Sequence, residues 1–131
     1  MLRSRRHEQD GSAVVDFVLV MLVLVPLFLG ILQVALVLHV RNTLTAAAAE
    51  GARYGATLDH TPESGAARTR SQITGTLSGR FAQHVRGGVG SVHGARTVVV
   101  TVEADVPPLG LWGPGLHLEV AGHAIQETDQ R

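Results

Sequence analysis

The chain has 131 residues, 11 basic and 11 acidic side chains, zero net charge and no cysteine. That balance leaves no electrostatic footprint for a nucleic-acid partner, and the lack of cysteine excludes disulfide frameworks, thiolate zinc sites and cysteine nucleophiles. A domain of this size must draw its stability from packing on itself, on a membrane or on a partner subunit.

Residues 1–11 read as a short basic leader with Arg3, Arg5 and Arg6. From Ser12 to Val40 the sequence is SAVVDFVLVMLVLVPLFLGILQVALVLHV, in which Asp16 is the single formal charge. About 20 apolar residues cross a hydrocarbon core of ~30 Å, so this run predicts a transmembrane helix over 12–40, roughly 43 Å long. A chain this short has no interior able to bury such a run as a soluble core helix. A secretory signal cut near Ala46–Ala49 is a further reading, although its apolar region is ordinarily about 7–15 residues. The arginines cluster before the helix and thin out after it, at Arg41 and Arg53. This bias predicts a cytoplasmic N-terminus and an extracytoplasmic 41–131 domain. Pro26 removes a backbone donor and clashes with the carbonyl of Leu22, which predicts a kink that a lipid-embedded helix tolerates.

An acid inside an apolar run is costly, about 2.5–3.5 kcal/mol at the bilayer centre and less near an edge. Asp16 therefore either sits close enough to the interface to stay wet or meets a positive partner. Beyond Arg41 the helical spacing continues through Val40, Leu44, Ala47, Gly51 and Leu58. Two ridges of small residues, Ala47–Gly51–Gly55 and Ala48–Ala52–Ala56, would admit another helix at close range. That helix belongs either to the chain's own domain or to a neighbouring subunit. Glu50 and Arg53 stand three apart, the spacing of a surface ion pair.

Taken together, Gly11-Ser12-Ala13-Val14-Val15-Asp16-Phe17, then Pro26, Gly30 and Glu50-Gly51-Ala52-Arg53, resemble the TadE family. These are pilin-like proteins of tight-adherence (Flp, type IV-like) pilus systems. The resemblance implies a pilin-like α+β fold, cleavage by a prepilin peptidase after Gly11, and Ser12 as the new N-terminus. Asp16 is then the fifth mature residue, followed by Phe17, and stands where the family ordinarily has Glu. Its implied role is to neutralise the amine of a neighbouring subunit within the bilayer, where a charge pair acts more strongly than on a wet surface. Implied partners are the peptidase, other pilin-like subunits and pilus assembly proteins, with membrane lipid around the helix. Pro26, Ala47, Gly51, Arg53 and Gly55 are the candidate helix-packing or interface residues.

Thr61-Pro62-Glu63 reads as the start of a second helix: Thr61 caps, Pro62 suits the first helical position and Glu63 the first turn. Its apolar stripe is expected to be Ile73, Leu77, Phe81 and Val85, with Gly87-Gly88 ending it. Gly75 and Gly79 inside it cost about 1 kcal/mol each against Ala. The remainder reads as β. Thr97–Val106 alternates, with Val98, Val100, Val102, Ala104 and Val106 on one face and Thr97, Thr101, Glu103 and Asp105 on the other. Leu116–Gln126 repeats this, with Leu118, Val120 and Ala124 inward and His117, Glu119 and His123 outward. A short strand near Val89–Val92 would extend the sheet. The stiff P-P-L-G-L-W-G-P-G connection carries Leu109, Leu111 and Trp112, which either fold over the open end of the domain or serve as contact residues.

The expected architecture is a long N-terminal transmembrane helix, a second helix and a small antiparallel sheet. The outward His117, Glu119 and His123 are ordinary solvent-facing residues at irregular spacing, so no metal or cofactor is expected. No triad or phosphate-binding loop is present, so no enzymatic activity is expected. The competing reading is an uncleaved single-pass accessory or scaffold protein.

Overall fold

The computed structural model describes residues 5–110 and 113–127, with backbone alone for 5–10. Arg3 of the leader and the loop residues Leu111 and Trp112 lie outside the described residues. The elements are helix α1 (Arg5–Ala56), helix α2 (Pro62–Thr76), a 3-10 turn (Gly79–Ala82), and strands β1 (His84–Val92), β2 (Ala95–Val106) and β3 (Leu116–Ile125). The order is that of an α+β chain: a long apolar helix, a second helix and a three-stranded antiparallel sheet, β1-β2-β3.

The chain divides between Ala35 and Leu36 into two compact units. In the first, α1 already begins at Arg5 and passes through Pro26 without a break. None of the side chains from Gly11 to Ala35 is buried. The second unit has two layers. One face of the sheet supplies Val98, Val100, Val102, Ala104 and Val106 from β2 and Leu118 and Val120 from β3. Against that face lie Val40, Leu44, Ala47, Ala48 and Ala52 of α1 and Ala66 and Ile73 of α2. The period-2 alternation of β2 and β3 therefore sorts core from solvent as the sequence pattern requires. Thr97, on the outer face by parity, is nevertheless buried, and its hydroxyl donates to the Ala95 carbonyl at 3.1 Å.

The second helix differs from its expected form. It stops at Thr76, where Leu77 turns to extended backbone and donates its N–H to the Ile73 carbonyl at 2.7 Å. Phe81 falls in the 3-10 turn, and Val85, Gly87 and Gly88 belong to β1, not to a helix. Gly75 and Gly79 weaken any helical continuation, while β1 has nine positions of β2 to pair with, from His84 opposite Glu103 to Val92 opposite Ala95. The tertiary pairing prevails. Ile73, Phe81 and Val85 still reach the same core and Leu77 packs against it, from three kinds of backbone instead of one helical stripe. β1 is accordingly longer than the expected Val89–Val92 segment.

Local chemistry fixes the element ends. Thr61 Oγ1 accepts from the N–H of Ser64, and Ser64 Oγ accepts from the N–H of Thr61, a reciprocal capping box ahead of Pro62. The β1–β2 connection is the two-residue turn His93-Gly94, with φ of 51° and 80°. Positive φ at both positions is the I′ geometry that matches strand twist, and Gly94 meets it without cost. Leu58 does not join the α1 face: the helix ends at Ala56 and Leu58 is 61% exposed.

Candidate functional site: the exposed N-terminal part of α1

Gly11, Ser12, Asp16 and Phe17 all lie on α1 with exposed side chains. A Cβ added at Gly11 would meet nothing within 4 Å. Ser12 and Asp16 are four apart, so they share one helix face a turn from each other. Phe17 belongs to a series of exposed Val, Leu, Phe, Met and Ile side chains that starts at Val14 and reaches Val34. The helix is long and apolar enough to cross a membrane, and no part of its most apolar window is buried by protein. A soluble core helix would be covered; this one is not. At ~1.5 Å per residue, Ser12–Ala35 alone is roughly 36 Å long, enough for a hydrocarbon core of ~30 Å. The anchor can therefore end where the folded unit starts, which frees Leu36, Val37 and Val40 to pack against the core.

The small-residue ridges of α1 are used inside the chain. Ala47, Gly51 and Gly55, and equally Ala48, Ala52 and Ala56, are buried in this unit. At Gly51 an added Cβ would run into Thr69 Oγ1 and the Gly65 carbonyl, and at Gly65 into the Gly51 carbonyl. Two glycines thus let α1 and α2 touch backbone to backbone, and Thr69 Oγ1 ties them with donor contacts to the carbonyls of Ala47 (3.2 Å) and Gly65 (3.0 Å). On the other flank β3 crosses α1 at Gly122, whose added Cβ would collide with the Ala48 carbonyl. The contacts of Gly65 and Gly122 have no period in the sequence to reveal them; their signal is only a small residue where a larger one would fit the local pattern.

Arg53 is exposed, and the ion pairs among the described residues are Arg86–Glu103 (3.2 Å) and His117–Asp105 (2.8 Å). The Glu50–Arg53 pair offered by spacing is therefore not formed; both side chains extend into solvent, where such a pair gains little. Beside Arg53, the Tyr54 ring lies 4.0 Å from that of His60, centroid to centroid, with the Arg68 guanidinium 5.8 Å from the Tyr54 centroid. Pro26 lies in the exposed anchor. On the outer sheet face His117 stands opposite Asp105, Glu119 opposite Glu103 and His123 opposite Val99. Among the described residues no three His, Asp or Glu side chains gather as a metal site.

Residues 11–53 match the family model described as TadE-like protein. The match starts at Gly11, the proposed cut, and ends at Arg53, within the last turn of α1. It is consistent with a TadE-family protein of tight-adherence pili. No curated protein and no solved structure matches the chain.

Proposed function

We propose that this TadE-like chain is a minor pilin or assembly component of a tight-adherence (Flp) type IV-like pilus, anchored in the membrane by α1 and cut by a prepilin peptidase after Gly11. The observation that supports this reading is the placement of Gly11, Ser12, Asp16 and Phe17 at the head of an apolar helix that its own protein leaves uncovered. Cleavage would create a positive amine at Ser12, one helical turn from the Asp16 carboxylate. In a low-dielectric surrounding an unpaired charge is expensive, so an amine and a carboxylate from neighbouring copies would be driven into register. Asp is one methylene shorter than Glu, so the pairing requires a closer approach of helices. The arginine bias puts the N-terminus in the cytoplasm and the folded unit outside. The role is mechanical, with the peptidase, other pilin-like subunits and assembly proteins as partners.

One observation favours the runner-up, an uncleaved membrane-anchored scaffold. The Gly11–Ser12 peptide lies inside helical backbone that starts at Arg5, and a peptidase must open that turn to reach it. Glycine lowers the barrier to opening, being about 1 kcal/mol less favourable than Ala in a helix. Intact mass of the chain from peptidase-competent cells decides between the two. A mature species starting at Ser12, absent from peptidase-deficient cells, is expected; a chain that stays uncut in competent cells rules the pilin-like reading out. Asp16→Ala is expected to keep membrane insertion and lose pilus assembly, and filaments at the unsubstituted level would remove Asp16 from the mechanism.

A further inference from the structure

The two rims of the sheet differ. Gln126 donates its N–H to the Arg96 carbonyl at 2.9 Å, so the even-numbered residues of β3 turn their backbone groups toward β2. The N–H and C=O groups of His117, Glu119, Ala121, His123 and Ile125 therefore point away from the sheet. Among the described residues no backbone hydrogen bond from another element reaches them. The ten consecutive pairs of β3 with β2 run without a bulge, and the strand holds no proline. This rim thus lacks two devices that commonly blunt an edge strand. On β1 the same alternation turns Val85, Gly87, Val89 and Ser91 outward. Arg70 covers the first of these, donating Nη2–H to the Val85 carbonyl at 2.7 Å, and that oxygen keeps a second lone pair.

β1 and β3 run in the same direction, each antiparallel to β2. A second copy laid beside the first in the same orientation would set its β1 parallel to β3. Parallel pairing requires an odd-numbered residue of β3 to stand level with an even-numbered residue of β1, whose two neighbours supply the hydrogen bonds. That parity keeps the outer faces of the two sheets continuous. One register uses the whole of β1, His84–Val92 against 117–125. It sets Glu119 level with Arg86 of the next copy. In its own chain Glu119 stands opposite Glu103, and the ion pairs among the described residues bring it no cation. Arg86 holds Glu103 at 3.2 Å and stays largely open to solvent, with donors left for a second carboxylate. The same register sets Ile125, 70% exposed, level with Val92, 43% exposed. On the inner face Val89, 51% exposed although Val85 on that face is buried, falls beside Gly122, which has no side chain to obstruct it.

We propose that copies of this chain associate edge to edge, β3 of one pairing in parallel with β1 of the next, with Glu119 of the first bound to Arg86 of the second. The occupant is a second copy because one register matches carboxylate to guanidinium, exposed aliphatic to exposed aliphatic and strand length to strand length. The contact is heterologous. Each copy keeps one rim free, so the sheet extends into a ring or an open row. Parallel pairing is slightly weaker per residue than antiparallel, so the side-chain pairs select the partner. The contact goes beyond the pilus reading and does not depend on the cut after Gly11.

The cysteine-free sequence permits a direct test. Full chains carrying Ile125→Cys are co-reconstituted in lipid vesicles with chains carrying Val92→Cys, the two differing in tag length so that the mixed dimer is resolved, and oxidised. Level residues on paired strands lie ~5 Å apart, within disulfide reach. The mixed dimer is expected at roughly five times or more the yield of an Ile125→Cys and Leu58→Cys mixture, which measures chance collision, because pairing raises the effective concentration of the two thiols. Glu119→Arg in the Ile125→Cys chain is expected to lower the yield about threefold by setting like charge beside Arg86. In its own chain that residue faces Glu103, so the substitution does not threaten the fold. A mixed dimer at the collision level overturns the proposal. A yield unchanged by Glu119→Arg overturns it too, since the charge match that selects the partner is then absent. Dimers from Ala121→Cys alone place β3 against β3 and equally overturn it.

Discussion

At the outer edge of the sheet, Nδ1 of His117 donates to Oδ1 of Asp105 at 2.8 Å, both side chains open to solvent. The hydrogen bond to Asp105 raises the imidazole above its ordinary pKa, more than desolvation lowers it, with smaller contributions from the charges of Asp105, Glu103 and Glu119. A raised pKa in the folded state means that the protonated form is favoured by folding. The stability it adds is fully present below the unfolded imidazole pKa and is lost as pH rises through the folded one. Full exposure keeps this effect small. Asp105→Asn removes the acceptor charge, so the His117 titration followed by NMR is expected to move down toward the ordinary imidazole value. An unmoved midpoint would place the cause with Glu103 and Glu119 instead. The alternation of β2 and β3 already put His117 on the outer face, but its partner was hidden. The hairpin register that sets Asp105 opposite His117 depends on a connection whose length alone does not specify pairing.

Among the elements, α1 owes its position to what its neighbours lack. Gly51 against Gly65, and Ala48 against Gly122, bring backbones into contact where any side chain would force them apart. Gly122→Ala puts a methyl into the Ala48 carbonyl. Overpacking of this kind costs about 1–3 kcal/mol, and thermal unfolding of the full chain in detergent is expected to show the loss, with Gly88→Ala, where an added Cβ meets nothing within 4 Å, as the mild comparison. The start of α2 is a second element-scale feature, and here local sequence sufficed. Thr61-Pro62 announced the cap, and Ser64 completes the reciprocal pair. Thr61→Ala is expected to cost about 1 kcal/mol in the same assay. The end of α2 was not local. Leu77, Phe81 and Val85 kept helical spacing, and β pairing with β2 claimed Val85 instead.

For the whole molecule, one long helix takes part in both units. Its first stretch turns apolar side chains outward and its last stretch turns small ones inward. Leu44 marks the second role: it is fully buried between sheet and helices. Leu44→Ala is expected to cost about 2–5 kcal/mol and to unfold the sheet-bearing unit at lower denaturant, while flotation with membranes is unchanged because the anchor precedes it. Loss of flotation in that variant would show that the two units do not act separately.

The sequence by itself determined the long apolar run of α1, the cap of α2 and the inner faces of β2 and β3. Each of these is a matter of local periodicity, charge or turn chemistry, written in consecutive residues. Only the tertiary structure decided that Ala47, Gly51 and Gly55 pack on the chain's own α2 and sheet and that β1 starts at His84. Those outcomes depend on which distant segments meet. Strand pairing and close backbone approach are settled by the fit of surfaces far apart in sequence, and no local period records that fit.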